Sequence, residues 1–346
     1  MQRLAPRWII LVILALLPAT DIFLPRELRI ASLVQPILIF AILGFGLNIV
    51  TGYTGLLNLG VAAFMAIGAY TFAIATCDIY PFQIGFWPGL GAAISVGALA
   101  GLILGMPTLR LRGDYLAMVT LGFGEIVQDI LKNLDTITQG TQGINPLPPA
   151  NLFGVSASSE GYLLTFYVFL GILTVIVALL SNLERSAVGR SFVAIREDEL
   201  AARCMRLHPT KVKLLAFAGG AGLAALAGGL WASYLGSTGD PGNYDFQISI
   251  LALCILIVGG IGTIEGVLIG AIVMVGFNSI VLIKLTDLLA TYGVVSGGNV
   301  LTSPGNWKYL VFGLALIITM RLRPQGLLPT RTVSARHTQV IPQESA

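Results

Sequence analysis

Long apolar runs, each closed off by charged or polar residues, recur from end to end of this chain. They cover residues 8–23, 30–50, 56–77, 88–109, 115–131, 162–181, 214–234, 248–258, 267–285 and 309–320. A helix needs about 20 apolar residues to cross the hydrocarbon core of a bilayer. The pattern therefore predicts an all-α polytopic membrane protein with about ten membrane segments, some of them short or broken. The run 248–258 is cut short by Gly259-Gly260-Ile261-Gly262, which predicts a half-helix, a re-entrant segment or a broken helix. Irregular backbone at that depth is tolerated where it is buried in protein or lines a cavity. Arg3 and Arg7 precede the first run, a layout shared by membrane anchors and signal peptides. Leu17-Pro18-Ala19-Thr20 is a poor cleavage site, so an uncleaved anchor is expected.

Composition narrows the class. Hydrophobic residues make up 55% of the 346 and charged residues 11%, where a soluble domain carries roughly a quarter charged; mean hydropathy is +0.86. Ten crossings leave room for no sizeable soluble domain. Residues 1–331 read as one membrane domain with a charged loop at 182–213, and the polar residues 332–346 as a disordered tail. Cys77, Cys204 and Cys254 form no CxxC pair, and the two histidines are far apart, so neither a disulfide framework nor a metal site is indicated. No Gly is followed by Lys, which excludes the phosphate-cradling P-loop pattern. No His/Asp/Glu cluster or Ser/His pair supports a membrane enzyme, and the small net charge of +3 indicates no nucleic-acid partner.

Charge distribution sets the expected orientation. Threading ten spans from an inside N-terminus gathers Arg3, Arg7, Arg110, Arg112, the seven Lys and Arg of 182–213, and Arg321, Arg323, Arg331 and Arg336 on one side. Only Arg26, Arg29, Lys132, Lys284 and Lys308 fall opposite. By the positive-inside rule both termini and the charged loop are cytoplasmic. The polar connections 132–161 and 286–308 face the other way, as ordered caps or as solvated loops.

Four features carry candidate chemistry. Within the loop, Arg196-Glu197-Asp198-Glu199 opens a segment, Leu200 to Arg206, that Pro209 closes. Acids in its first turn and Arg203 and Arg206 in its last suit a helix dipole. A short helix along the membrane surface is expected, kept slim by Ala201 and Ala202 for a partner's groove; positive-inside bias alone also accounts for the charge. Glu125, Gln128, Asp129 and Lys132 share one helix face. An ionisable group in hydrocarbon costs about 2.5–3.5 kcal/mol on insertion scales, so Glu125 is expected to turn to a cavity or partner, on a transport route or as an anchor between helices. Two ladders, Gly97/Gly101/Gly105 and Gly262/Gly266/Gly270, predict close helix packing; the second contains Glu265 beside the break. Asn48 and Asn58 flank an expected turn at Thr51 to Gly55, and serve either substrate or helix contacts. Asn48, Asn58, Glu125, Gly259, Gly260, Gly262 and Glu265 are thus the candidates for a translocation path.

Five segments taken together carry a resemblance: Leu47 to Tyr70, Leu111 to Val127, Ala194 to Ala202, Val258 to Ala271 and Arg323 to Leu328. In that order they resemble the branched-chain amino acid ABC transporter permease family, specifically its LivM-type subunits. The resemblance implies a bacterial inner-membrane importer: a multi-pass permease subunit, a second homologous permease, two cytoplasmic ATP-binding subunits that hold ATP and Mg, and a periplasmic solute-binding protein. This chain would bind no cofactor and would not be an enzyme. The segment Arg196 to Ala202 is similar to the family's coupling loop, so the resemblance implies ATPase contact at Arg196, Glu197, Asp198, Glu199, Ala201 and Ala202. The family's usual Gly is replaced by Arg206. Urea and amide permeases share the fold. An ion-coupled secondary transporter with Glu125 as the titrating group is the reading from another class.

Overall fold

The structure is a computed structural model that describes residues 6–21, 30–108, 114–147, 151–152, 155–156, 162–281, 284, 308–323 and 326–328. The described residues are helical almost throughout. Its elements are α1 (Pro6–Asp21), α2 (Ile30–Leu47) continued by a π-helical turn (Asn48–Tyr53), α3 (Val61–Thr76), α4 (Phe86–Thr108), α5 (Asp114–Asn133) and the short α6 (Asp135–Thr138). Then follow α7 (Tyr162–Arg185), α8 (Ala187–Glu197), α9 (Glu199–Cys204), α10 (Pro209–Leu235), α11 (Phe246–Gly259), α12 (Ile264–Gly276) with a second π-helical turn (Phe277–Val281), and α13 (Lys308–Leu322). Among the described residues the only strands are two-residue β1 (Asn151–Leu152) and β2 (Val155–Ser156), paired antiparallel.

Every apolar run of the sequence corresponds to a helix. Five segments are long and apolar enough to cross a bilayer: Leu33–Tyr53, Phe86–Thr108, Leu163–Arg185, Pro209–Leu235 and Pro241–Gly259. Arg7–Pro18, Val61–Thr76, Ile264–Ser279 and Leu310–Leu322 are apolar but shorter, and α5 is set apart by its charges. This is a multi-pass membrane protein.

The centre of the bundle is α10, which packs against α2, α3 and α4. It can do so because its core face is built of Gly and Ala. The ladder on α4 meets it directly: Gly97 receives the Ala225 side chain, Gly101 that of Ala221, and Gly105 lies against Leu214 and Phe217. Gly220 of α10 sits on the Gly46 backbone of α2, and Gly228 on the Met65 backbone of α3. Without side chains between them the backbones approach closely, which is the main attraction available to helices that share an apolar solvent. The second ladder folds α12 back on α11, Gly266 against the Gly259 carbonyl and Gly270 against that of Ile255. Both ladders therefore serve helix contact.

The structure corrects two boundaries. First, Thr51 to Gly55 is not the turn between the second and third runs, because α2 continues through Tyr53 as a π-helix. Second, α3 begins at Val61, and residues 55–60 run without helix between buried neighbours. Side chains satisfy the backbone here and in the first turn of α3: Leu59 N donates to Thr120 Oγ1 of α5 (3.0 Å), Gly60 N to the segment's own Asn58 Oδ1 (2.9 Å) and Ala62 N to Ser249 Oγ of α11 (3.1 Å). The break expected after Gly259 is present, as a tight turn that joins α11 and α12.

Part of the connection between α5 and α7 is an ordered cap. Ile144 N donates to Thr238 Oγ1 (2.8 Å) and Leu147 N to the Gly236 carbonyl (2.9 Å), so the segment sits on the turn between α10 and α11. Residues 285–307 and the tail 332–346 lie outside the described residues.

Candidate functional site

Three places carry the polar chemistry: the loop between α7 and α10, a joint where that loop meets the bundle, and the face of α5.

The loop is two helices, not the single one expected from Arg196 onward. Ser186 caps α8 by accepting from Gly189 N (3.1 Å), and the buried Phe192 and Ile195 hold α8 to the bundle. Arg196 and Glu197 end α8. Asp198 is extended (φ −154°) and starts α9 by accepting from Leu200 N (2.8 Å) and Ala201 N (3.0 Å). An Asp at that position satisfies the free N–H groups of a helix start. The helix ends earlier than Pro209, which instead opens α10 as its first residue. The stop is Arg206, held at φ +61°, with Arg206 N donating to the Arg203 carbonyl (3.0 Å) and Leu207 N to that of Ala202 (3.1 Å). This bond pair is the Schellman motif, whose left-handed residue is usually Gly. The resemblance's missing Gly is thereby located at the position that needs one.

Glu199 ties the loop together. Its carboxylate lies 2.7 Å from Arg203 Nη2 and 2.7 Å from Lys213 Nζ. The bond from Lys213 and, secondarily, that from Arg203 hold its pKa below the ordinary carboxylate value against the opposing effect of burial. Between α8 and α9 lies a groove of about 470 Å³ lined by Ala187, Ala194, Glu197, Ala201, Ala202 and Met205. Leu200 (72% exposed) and Met205 (78% exposed) stand out from this loop. They are apolar side chains on a charged, protruding segment, and charge-based reading of the sequence passed over them.

At the joint, Arg196 turns toward the bundle and donates from Nη1 to the Gly52 carbonyl (2.6 Å) in the π-helical turn. A Cβ on Gly52 would collide with Asn48 Oδ1 and crowd Gly262 N at 3.0 Å. Asn48, fully buried, accepts from Gly262 N (2.9 Å) in the break between α11 and α12. Gly260 is backed by Leu328, and Leu328 N donates to the Gly259 carbonyl (3.0 Å). One residue on, Tyr53 donates to Glu184 Oε1 (3.0 Å). Arg7 of α1 completes the group, donating to Ser181 Oγ (3.0 Å) and lying 3.4 Å from Glu184 Oε2 and 3.6 Å from Glu265 Oε1. Five of the seven path candidates, Asn48, Gly259, Gly260, Gly262 and Glu265, thus gather here with Arg7, Tyr53 and Glu184.

The remaining two candidates gather elsewhere. A small crevice brings Leu59 and Ala62, next to Asn58, together with Gly124 and Glu125 of α5, Asp245 and Ser249. The polar stripe of α5 divides. Gln128 is buried and donates to the Gly242 carbonyl (3.3 Å), with Lys132 donating to it in turn (2.9 Å). Glu125 and Asp129 are exposed, and among the described residues neither carboxylate has an ion-pair or hydrogen-bond partner, although the Asp129 carbonyl accepts from Asn133 Nδ2 (2.8 Å). Tyr115, Met118, Ile126 and Ile130 are exposed on the same helix, and Gly122 and Gly124 meet nothing within 4 Å. Farther from the loop, a cavity of about 320 Å³ is lined by Phe40, Trp231 and Phe312 together with Asn243, Asp245 and Asn278. Among the described residues no cluster of His, Cys, Asp or Glu could hold a metal ion.

Comparison with known proteins gives a consistent answer. Residues 29–320 match the family model described as branched-chain amino acid transport system / permease component. The chain is 39% identical over 313 residues to the high-affinity branched-chain amino acid transport system permease protein LivM of Salmonella typhimurium, covering 84% of this chain and 68% of that protein. The Escherichia coli protein of the same name matches to the same extent. More distantly, 27% identity over 261 residues links it to the autoinducer 2 import system permease protein LsrC of Salmonella paratyphi B, over 70% of this chain and 66% of that protein. No solved structure matches. The chain belongs to the branched-chain amino acid transport system permease component family.

Proposed function

We propose that this chain is the membrane-spanning permease subunit of an importer for branched-chain, apolar amino acids in a bacterial inner membrane. Both termini and the loop 186–208 are cytoplasmic in this reading. Two separate ATP-binding subunits, which hold ATP and its Mg²⁺, dock on the loop, a periplasmic binding protein delivers the substrate, and a second homologous permease completes the pore. The substrate class rests on the names of the LivM relatives; the autoinducer importer shows that related permeases serve other cargo, and urea or amides remain the nearest alternative.

The observation that carries the reading is the loop. A chain whose other helices are lipid-like projects a groove between α8 and α9 with Leu200 and Met205 exposed beside it, while its sequence contains no Gly-Lys pair for a P-loop. Exposed apolar side chains rimmed by charge mark a surface for another protein. Arg196, Asp198 and Glu199 shape the loop from within, and Glu197, Ala201, Leu200 and Met205 form the contact.

Substrate passes along the α5 face, with the second permease subunit opposite. Glu125 and Asp129 there require a polar partner or water, since lipid supplies neither, and Asn58 with the non-helical backbone at 55–60 borders the same side. The cavity by Phe40 and Trp231 offers apolar walls for a branched side chain and amides and a carboxylate for a zwitterionic head. The five candidates at the joint are assigned away from the route.

Copurification tests the reading. Affinity-tagged chain expressed with its neighbouring transport subunits should retain a P-loop ATPase, and Leu200→Ser with Met205→Ser should release it while the permease pair stays intact. Uptake by the chain alone, abolished by collapsing the proton gradient and indifferent to ATP, would instead identify an ion-coupled transporter.

A further inference from the structure

We propose that the π-helical turn Asn48–Tyr53 is the joint through which movement of the loop 186–208 reaches the membrane helices, with Arg196 and Asn48 as positioning residues and Arg7 as the latch that resists it. This rests on reading the loop as an ATPase docking site.

Three independent observations converge on this turn and its partners. The first is their conformation. α2 is regular to Leu47 and then widens by inserting π-type turns; such turns are uncommon and are frequent at functional sites. The second is connectivity. Within this turn, the Gly52 carbonyl receives Arg196 from the loop, Asn48 holds Gly262 at the α11–α12 break, and Tyr53 holds Glu184 at the end of α7. Gly55, just beyond, packs on the stem of Arg196 at 3.2 Å. A displacement of α8 therefore cannot leave α2, α7 and the α11–α12 hairpin where they are. The loop and the break are thus both hydrogen-bonded to this one turn.

The third observation is unsatisfied bonding. Among the described residues three buried side-chain polar atoms lack a hydrogen-bond partner, and two of them, Arg7 Nε and Asn48 Nδ2, belong to this group. Buried polar atoms are nearly always paired, so an exception asks for a reason. A fixture that only held helices together would be selected to close these bonds. A joint with a second arrangement, in which the Asn48 amide finds an acceptor and Arg7 closes on Glu265, leaves them open in the first. Packed elements of this kind switch between discrete states rather than bending continuously.

The test measures uptake and ATP hydrolysis together in the assembled complex reconstituted with its binding protein. Tyr53→Phe and Arg7→Gln should leave the ATPase bound and hydrolysing, while substrate moved per ATP changes by about fivefold, the lower end of typical coupling between sites. Arg196→Ala should change that ratio by more, and Arg196→Lys, which keeps a donor for the Gly52 carbonyl, should restore part of it. A ratio equal to wild type in Tyr53→Phe and Arg196→Ala overturns the proposal, as does release of the ATPase by Arg196→Ala, which would make Arg196 part of the docking surface. Failure of the underlying reading is distinct: the wild-type chain would then retain no ATPase at all.

Discussion

At the joint, α1, α2, α7, α8 and the α11–α12 break meet around Gly52 through hydrogen bonds of 2.6–3.0 Å and the looser Arg7 ion pairs. On α5, by contrast, Glu125 and Asp129 project from a face whose glycines touch nothing. Both regions put ionisable groups among apolar helices. One pairs them largely within the chain, leaving Arg7 Nε and Asn48 Nδ2 open, and the other leaves them for something outside it. The difference separates a polar residue that organises the fold from one that is available to a partner or a substrate, and residue type alone does not reveal which is which.

Substitutions at matched positions sharpen that contrast. The largest expected effect is at Gly52, where a Cβ meets Asn48: Gly52→Val should destabilise the purified chain by about 2–3 kcal/mol through overpacking. Gly122→Val, with open space beside it, should leave thermal unfolding in detergent unchanged and instead weaken association with the second permease. Equal effects at the two positions would erase the distinction. Next is Arg7→Ala, which strands Glu184 and Glu265 near each other and should cost about 2 kcal/mol, toward the low side for a broken buried pair because the contacts are long and partly hydrated. Glu125→Gln should be neutral in the same assay. Smaller and opposite in sign, Arg206→Gly should stabilise the loop by about 1 kcal/mol, since a left-handed conformation disfavours any side chain.

The smallest effect depends on pH. The pKa of Glu199 is depressed in the folded loop, chiefly by Lys213. Its contribution is present above the unfolded carboxylate pKa of about 4 and is lost as pH falls through the lower folded value. Loop order, read by protease resistance around Arg203, should therefore hold from neutral pH to about 4 and decline only below it. Glu199→Gln should abolish that dependence.

Much of the fold was legible in the sequence, because apolar runs and Gly ladders report directly on helix burial and close packing. The break after Gly259 was visible for the same reason. Boundaries set by side chains from distant helices were not: nothing in residues 56–62 announces that Thr120 and Ser249 will take the N–H groups of Leu59 and Ala62. The charged loop was found by its charge, yet charge hid its exposed apolar side chains, since Asp198 bonds within the loop and Glu199 also to Lys213 at the start of α10, while Leu200 and Met205 face out. Arg206 stood out only against the family's Gly, and its φ supplies the reason. The seven path candidates are Asn, Gly and Glu residues within or beside apolar runs, and their division between joint and α5 follows from tertiary contacts that spacing cannot encode.

Thiol accessibility tests the division most directly. In a chain with Cys204, the exposed native cysteine, changed to Ser, single cysteines replace Glu125 and Asn48 in turn, and the assembled complex is treated with a small water-soluble thiol reagent with and without substrate. A route along α5 predicts labelling at 125 that substrate suppresses and no labelling at 48 under either condition. Substrate-sensitive labelling at 48 with an inert 125 would contradict it and put the route through the joint.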